Sequence, residues 1–167
     1  MPTPWFERRF EFPVPAETWP EIHERLRTAP DRLEKVLASV PDDVLTRQPE
    51  GKWSAQEHAG HLVVLDEIWL LRVEDFLHGA TELTPADLTN RKTTEAGFNN
   101  QRVDKILSDF RAVRSMLLSR VGSAGCPLPV NTLPHPRMRT PLRLLDHLCF
   151  AAEHDDHHLA TIAARIA

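Results

Sequence analysis

Two histidines near the end of the chain have the spacing of a metal-binding pair. His154 and His158 are four residues apart in a segment whose pattern predicts a helix, and residues at that spacing lie one turn apart on the same side. Two imidazole nitrogens held on a rigid backbone can converge on one first-row metal ion. Because two ligands do not complete a site, a third must come from elsewhere, and His61 is the best candidate.

His61 lies on another predicted helix, at the middle of its apolar face. At ~100° per residue, Leu65 and Ile68 fall within about 40° of it. A buried imidazole needs partners for both ring nitrogens, or its burial costs stability. For a lone histidine, a core residue bonded to a carboxylate or a carbonyl is the simpler interpretation. The pair in the tail favours a metal ligand instead.

The tail pair lies to one side of the apolar face of the last helix. His154 and His158 are about 80–120° from the centre of that face, on a stripe that also carries His147. This placement predicts half-buried side chains that face a neighbouring helix. The alternative is a solvated polar flank on which the histidines fall at this spacing by chance.

Two further side chains are candidates for a supporting or catalytic role. Asp155 falls near the apolar centre of its helix, so it needs a partner. It could orient a ligand histidine, or form an ion pair with an arginine such as Arg72 or Arg102. His58 is offset from His61, which predicts contact with a ligand or with the rim of the site. These two are the only candidates near the motifs for a general base.

The remaining histidines and Glu57 receive structural interpretations. His157 points away from the apolar face and is predicted to be exposed. Glu57 forms a capping box with Ser54 at a helix start, which explains it without catalysis. Three histidines carry no functional signal in the sequence, namely His23, His78 and His135.

The elements that must position these residues are four long amphipathic helices. Apolar residues at helical spacing predict helices over 16–40, 54–77 and 99–121, and a fourth from Pro141 to the end. Residues 1–15, rich in proline and aromatic side chains, are predicted to form an irregular arm. Strand signals are almost absent. The sequence therefore predicts an all-α four-helix bundle, as a single domain over all 167 residues.

Prolines mark the predicted interruptions. Pro30 is expected to kink or break the first helix, and Thr140-Pro141 supplies an N-cap and a first-turn proline for the fourth. The connections 80–97 and 123–139 are longer than a tight hairpin between helices needs. One or both are therefore expected to cross the bundle or to cover one of its ends.

Composition excludes several classes of function. The net charge of −4 gives no broad basic surface for nucleic acid or for an anionic membrane. No apolar run approaches the ~20 residues of a membrane span, and the first residues lack the apolar core of a signal peptide. The two cysteines, Cys126 and Cys149, have no metal-like or redox-like spacing. A cytoplasmic protein is expected.

Two segments together resemble the DinB/YfiT-like superfamily. They run from Gly51 to Leu62 (GKWSAQEHAGHL) and from Ala152 to Ile162 (AEHDDHHLATI), and His135-Pro136 and Thr140-Pro141 are also similar. The resemblance covers the chain from about residue 16 to the end. It implies a four-helix bundle, often a homodimer, that binds one divalent ion, zinc or nickel, through His61, His154 and His158.

The resemblance also implies two kinds of reaction on a small-molecule substrate. Some relatives are described as metal-dependent hydrolases, and others are transferases or isomerases that use low-molecular-weight thiols. Since no obvious general base accompanies the histidines, thiol transfer is mildly favoured. The alternative functions are a non-catalytic metal- or small-ligand-binding protein of a stress response, and a bundle whose histidines only pack.

Overall fold

The computed structural model describes residues 3–167 and is dominated by helices. In chain order the α-helices are α1 (Trp19–Leu37), α2 (Asp42–Leu45), α3 (Ala55–His78), α4 (Arg91–Glu95), α5 (Val103–Ser123) and α6 (Leu144–Ile166). Single 3-10 turns lie at Trp5–Glu7, Ala16–Thr18, Pro49–Gly51 and Phe98–Asn100. Two short antiparallel strands, β1 (Leu133–Pro134) and β2 (Pro141–Leu142), pair with each other.

The four long helices form the predicted bundle. Helix α3 packs against α5 and α6, and α1 packs against the same two helices. Helices α1 and α3 are therefore diagonal partners, as are α5 and α6. The connection 124–143 joins two diagonal helices and so crosses the bundle. Crossing the bundle was one of the two arrangements predicted for this connection. None of the helices within residues 3–167 combines the length and apolar character needed to cross a membrane.

The start and end of α3 agree with the sequence signals. The Ser54 hydroxyl accepts a hydrogen bond from the Glu57 backbone N–H, and the Glu57 carboxylate accepts one from the Ser54 N–H. Gly79 ends the helix in the left-handed region, at φ 71°, where glycine carries no steric penalty. The capping-box interpretation of Glu57 is confirmed.

Helix α1 continues through Pro30, so of the kink or break expected there, the break is absent. A proline inside a helix removes the hydrogen bond to the carbonyl four residues earlier, here that of Leu26. The guanidinium Nη1 of Arg114 donates to this carbonyl at 2.6 Å. The acceptor that Pro30 leaves free is thus satisfied from α5, which explains why the helix tolerates the proline.

Helix α6 begins three residues later than predicted. Pro141 lies in β2 and not in the first turn, because residues 141–142 pair with β1. The helix is capped instead by Asp146, whose carboxylate accepts hydrogen bonds from the backbone and side chain of Arg143. The helix predicted over 16–40 is likewise shorter, since a 3-10 turn precedes α1 and Leu37 ends it.

A buried ion cluster connects all four long helices. Arg114 on α5 donates to both carboxylate oxygens of Asp66 on α3, at 2.8 and 2.7 Å, and to the Leu26 carbonyl on α1. It also forms an ion pair of 2.7 Å with Asp155 on α6. Arg114 is 2% exposed and both aspartates are fully buried. One guanidinium thus fixes the relative positions of the helices.

The N-terminal arm is irregular, as predicted, apart from one 3-10 turn, and it packs along α6. Met1 and Pro2 of the predicted arm lie outside the described residues. The Val14 N–H donates to Asp146 at 2.8 Å, and Arg8 pairs with Glu153. The ring of Trp5 lies 5.1 Å from that of Phe150. The arm thereby covers one flank of the last helix.

Candidate metal centre

The three histidines singled out by the sequence converge in the interior. His61 comes from α3, and His154 and His158 come from adjacent turns of α6, which packs directly on α3. Each ring offers one nitrogen, and the three nitrogens lie within 4.8 Å of one another. The ring centroids are 4.4 to 5.3 Å apart. One ion of ordinary size could contact all three.

His61 is buried, as its place on the apolar face predicted, and the two rings on α6 are more deeply buried than the sequence indicated. His154 is 4% exposed and His158 is 6% exposed, whereas a half-buried flank was expected. The N-terminal arm contributes to the burial of His154, because the Trp5 ring packs edge-on against it at 5.0 Å. His158 is covered by the rings of His58 and His157. Helical periodicity describes one helix at a time and does not register a cover supplied by a distant segment.

Partners on the outer nitrogens orient two of the rings. Nδ1 of His61 lies 2.9 Å from the Thr93 hydroxyl on α4, and Nδ1 of His158 lies 2.9 Å from Nδ1 of His58. Metal-binding histidines commonly donate the proton of their second nitrogen in this way. In both rings Nε2 is left as the nitrogen available to an ion. Nδ1 of His154 is buried without a partner among residues 3–167.

The electrostatics of the cluster keep the imidazoles neutral. Burial lowers the pKa of His61 from 6.5 to about 3, with a smaller contribution from His58. Burial and the neighbouring rings lower the pKa values of His154 and His158 well below 6.5. A metal ligand must be the neutral form of histidine. The donor set therefore fits a divalent ion such as zinc, with room for a further ligand from the cavity side.

The two candidates for a general base have different surroundings. His58 contacts His158 and is 8% exposed, and burial lowers its pKa to about 4. The predicted contact with His158 is thus present, and His58 does not line the cavity. Asp155 forms an ion pair with an arginine, as one alternative predicted, but the partner is Arg114 and neither Arg72 nor Arg102. Burial raises the pKa of Asp155 to about 6.

A cavity of about 310 Å³ opens onto the histidine cluster. His61, His154 and His158 form one side of it. Most of the remaining wall is apolar or aromatic and comprises Trp5, Phe6, Trp53, Leu65, Trp69, Pro85, Ala86, Leu88, Pro136 and Phe150. Such a mixture of apolar walls and a few convergent polar groups is typical of a site for a small molecule.

Two histidines of the cavity wall were not assigned a role from the sequence. His157 was predicted to be exposed but is half-buried, because Trp5 packs 5.6 Å from its ring. Burial, followed by Arg8, lowers its pKa. His135 was given no functional signal, yet it is 3% exposed and lines the cavity. Its place in the segment similar to the superfamily was the only available indication. His147 is buried elsewhere, against Trp69.

A sequence profile of the DinB superfamily matches residues 25–162. The chain belongs to the DinB superfamily. A solved structure that resembles this superfamily member is that of YfiT from Bacillus subtilis, described as a probable metal-dependent hydrolase with an unusual four-helix bundle topology. The TM-score is 0.82 at 16% identity, with 95% of this chain and 91% of that chain covered. The likeness shows a shared fold. No curated protein sequence matches the chain.

Proposed function

We propose that this DinB superfamily protein is a metal-dependent enzyme that acts on a small molecule. His61, His154 and His158 would hold one divalent ion, zinc or nickel. The observation that carries the proposal is the convergence of three neutral, buried imidazoles on the wall of an apolar cavity. The description of YfiT as a probable metal-dependent hydrolase supports the same reading. A homodimer and a cytoplasmic location stay predictions.

Three nitrogen ligands are the pattern of a catalytic rather than a structural site. Structural zinc sites are closed by four protein ligands, whereas catalytic sites use three and leave a position to water or substrate. Within residues 3–167, His61, His154 and His158 form the group suited to an ion. A bound divalent ion supplies a Lewis acid that polarises a substrate oxygen and lowers the pKa of a nearby water or thiol.

Hydrolysis is the first candidate reaction, and His157 is the side chain placed to accept a proton. It lines the cavity next to His158, with 5.2 Å between the two ring centroids. An imidazole within reach of a reacting water is the commonest general base in enzymes. His58 and Asp155 do not line the cavity, so His157 replaces them in this role.

Transfer of a low-molecular-weight thiol is the second candidate, and one observation favours it. Asp87 is the carboxylate of the cavity wall, and its oxygens already accept hydrogen bonds from Thr89 and from the backbone of Arg91. Since both oxygens of this carboxylate are already hydrogen-bonded, hydrolysis would depend on a histidine such as His157 as its base. Thiol transfer requires neither a protein base nor a protein nucleophile, since the thiol of the cosubstrate is the nucleophile.

The test is turnover by the zinc- and nickel-loaded protein on panels of ester, amide and thiol-acceptor substrates. We expect activity that disappears on chelation and in His158→Ala, with an unchanged circular dichroism spectrum. His157→Gln should keep the metal and lower hydrolysis about 100-fold, while thiol transfer should be insensitive to it. Full activity of the chelated protein would overturn the proposal, and stoichiometric metal without any turnover would favour the non-catalytic alternative.

A further inference from the structure

Arg72 is a buried guanidinium in the cavity wall that lacks a carboxylate partner. It projects from α3, is 2% exposed and lies 5.2 Å from the ring of Trp69. Its Nε donates to the Thr84 carbonyl at 2.8 Å, and Nη2 has no hydrogen bond within residues 3–167. The carboxylate of Asp75 accepts the Thr84 N–H instead. A buried charge that is not paired is costly, so an external anion would stabilise this arrangement.

His135 faces Arg72 with a second donor. Nδ1 of His135 accepts hydrogen bonds from the backbone N–H groups of Arg137 and Met138, both at 3.2 Å. A neutral imidazole whose Nδ1 is the acceptor carries its proton on Nε2. That Nε2 lies 3.2 Å from Nη1 of Arg72. The N–H groups of Arg72 and His135 therefore face each other without an acceptor. An anionic oxygen could accept a hydrogen bond from each.

The charges around this pair favour an anion over a neutral group. Burial lowers the pKa of Arg72 to about 10, the charge of Asp75 opposes this shift without a hydrogen bond to the guanidinium, and Arg72 stays charged at neutral pH. Burial, followed by Arg72 and Arg137, lowers the pKa of His135 to about 3, so the imidazole is neutral. Arg137 lines the same cavity, half-buried and 5.0 Å from the Phe6 ring, with no ion pair within residues 3–167.

We propose that Arg72 and the Nε2–H of His135 form a subsite for a carboxylate of the substrate. The substrate would then be a small organic acid with an apolar body. The inference rests on the proposed function, because it assigns a carboxylate-binding role to another part of the same cavity. A planar guanidinium matches the two oxygens of a carboxylate. A phosphate dianion would need more donors, and neither a lysine nor a glycine contributes to the cavity wall.

The aromatic wall sets the distance between the two ends of such a substrate. Trp69 contacts both ends, since its ring lies 5.2 Å from the Arg72 guanidinium and 5.5 Å from the His154 ring. Phe150 lies beside it, 5.2 Å from His135. The body that links the carboxylate to the reacting group therefore packs against about one aromatic ring. Phenylacetate has that size.

The test compares phenylacetate with its neutral isostere phenylacetamide. Binding is followed by the fluorescence of the cavity tryptophans, with the protein zinc-loaded and again after chelation. We expect the acid to bind at least 10-fold tighter than the amide in both states. Arg72→Gln should remove this preference, because it weakens binding of the acid and leaves binding of the amide unchanged. His135 lies on a loop, so His135→Leu gives the same test if Arg72→Gln, on α3, does not fold.

The matched control is Arg120→Gln. Arg120 is also a helical arginine, but it pairs with Glu74 outside the cavity, so the preference for the acid should persist. Equal binding of acid and amide would overturn the subsite. Acid binding that requires zinc and survives Arg72→Gln would place the carboxylate on the metal, which also overturns it. Phenylphosphonate binding tighter than phenylacetate would contradict the assignment to carboxylates.

The metal and the subsite can fail separately in this design. A preference for the acid that depends on Arg72, in a protein that never binds zinc or nickel, would support the subsite and refute the metal site. Stoichiometric zinc binding with no preference for the acid would support the metal site and refute the subsite.

Discussion

Nδ1 of His58 and Nδ1 of His158 lie 2.9 Å apart in the interior of the bundle. For His158 to offer Nε2 to an ion, its Nδ1 must carry the proton and donate it to His58. Nε2 of His58 is then protonated, and it is buried without a partner among residues 3–167. If His158 binds an ion, His58 would therefore act by fixing the orientation and tautomer of that ligand, and not by touching the ion.

Replacing His58 should weaken metal binding without removing a ligand. His58→Leu takes away the acceptor for His158, and loss of such a partner typically costs about 10–100-fold in metal affinity. His58→Asn places a carbonyl oxygen near the former Nδ1 and should restore most of the affinity. Competition with a chromogenic zinc chelator measures both variants. Wild-type affinity in His58→Leu would show that the contact plays no part in binding.

Removing the arginine of the buried ion cluster should severely destabilise the fold. Arg114→Met leaves Asp66 and Asp155 buried without their partner, and breaking such a cluster costs roughly 3–5 kcal/mol. The control is Arg111→Met on the same helix, which loses only exposed pairs with Asp31 and Glu34 and should change stability by about 0.5 kcal/mol or less. Urea denaturation gives both values, and equal effects would contradict this role for Arg114.

Two glycines in helices should respond in opposite directions to alanine. A Cβ added at Gly60, next to His61, would lie 2.2 Å from the Phe98 ring, so Gly60→Ala should destabilise by about 1–3 kcal/mol. A Cβ at Gly122 meets nothing within 4 Å, so Gly122→Ala should stabilise by up to about 1 kcal/mol. Thermal unfolding checks the pair. An increase in Tm for Gly60→Ala would contradict the close packing on Phe98.

The metal-free protein should lose stability as the pH falls below 6.5. His147 is completely buried, and burial followed by the charge of Arg72 lowers its pKa well below 6.5. Its ring makes no well-aligned hydrogen bond within residues 3–167, and the backbone of Trp69 offsets the lowering only partly. In the unfolded chain the imidazole of His147 therefore binds a proton near pH 6.5, whereas in the folded protein it stays neutral. This difference favours unfolding at lower pH.

His135 adds to the same effect between pH 6.5 and about 3. The raised pKa of Asp155, about 6, and the raised pKa of Asp66 act in the opposite sense, but they are two groups against several buried histidines. His147→Leu should flatten the pH dependence by about 1.4 kcal/mol per pH unit below 6.5. Denaturation in EDTA at pH 7.5 and 5.0 measures it. Equal stability of the wild-type protein at both values would contradict the account.

The sequence was sufficient for features that lie within one element. The HxxxH spacing, the Ser54–Glu57 capping box and the apolar stripes of the long helices are local patterns, and their residues appear where they predict. His61 was found from the same periodicity, because a histidine at the centre of an apolar face needs partners.

Features that require two distant segments could not be predicted. Trp5 of the N-terminal arm packs on His154 and His157, and no sequence pattern in either segment predicts that contact. Arg114 was not singled out, since its partners come from three other helices. The break expected at Pro30 is absent for the same reason, because Arg114 satisfies the carbonyl that the proline leaves free.

The most direct test of the central claim is the metal content of the protein purified without a histidine tag, measured beside His61→Ala and His154→Ala. We expect about one zinc or nickel per chain in the wild-type protein, and loss of the ion in both variants while their helical content is retained. No metal in the wild-type protein, even after incubation with zinc or nickel, would contradict the claim that the three histidines form a metal site.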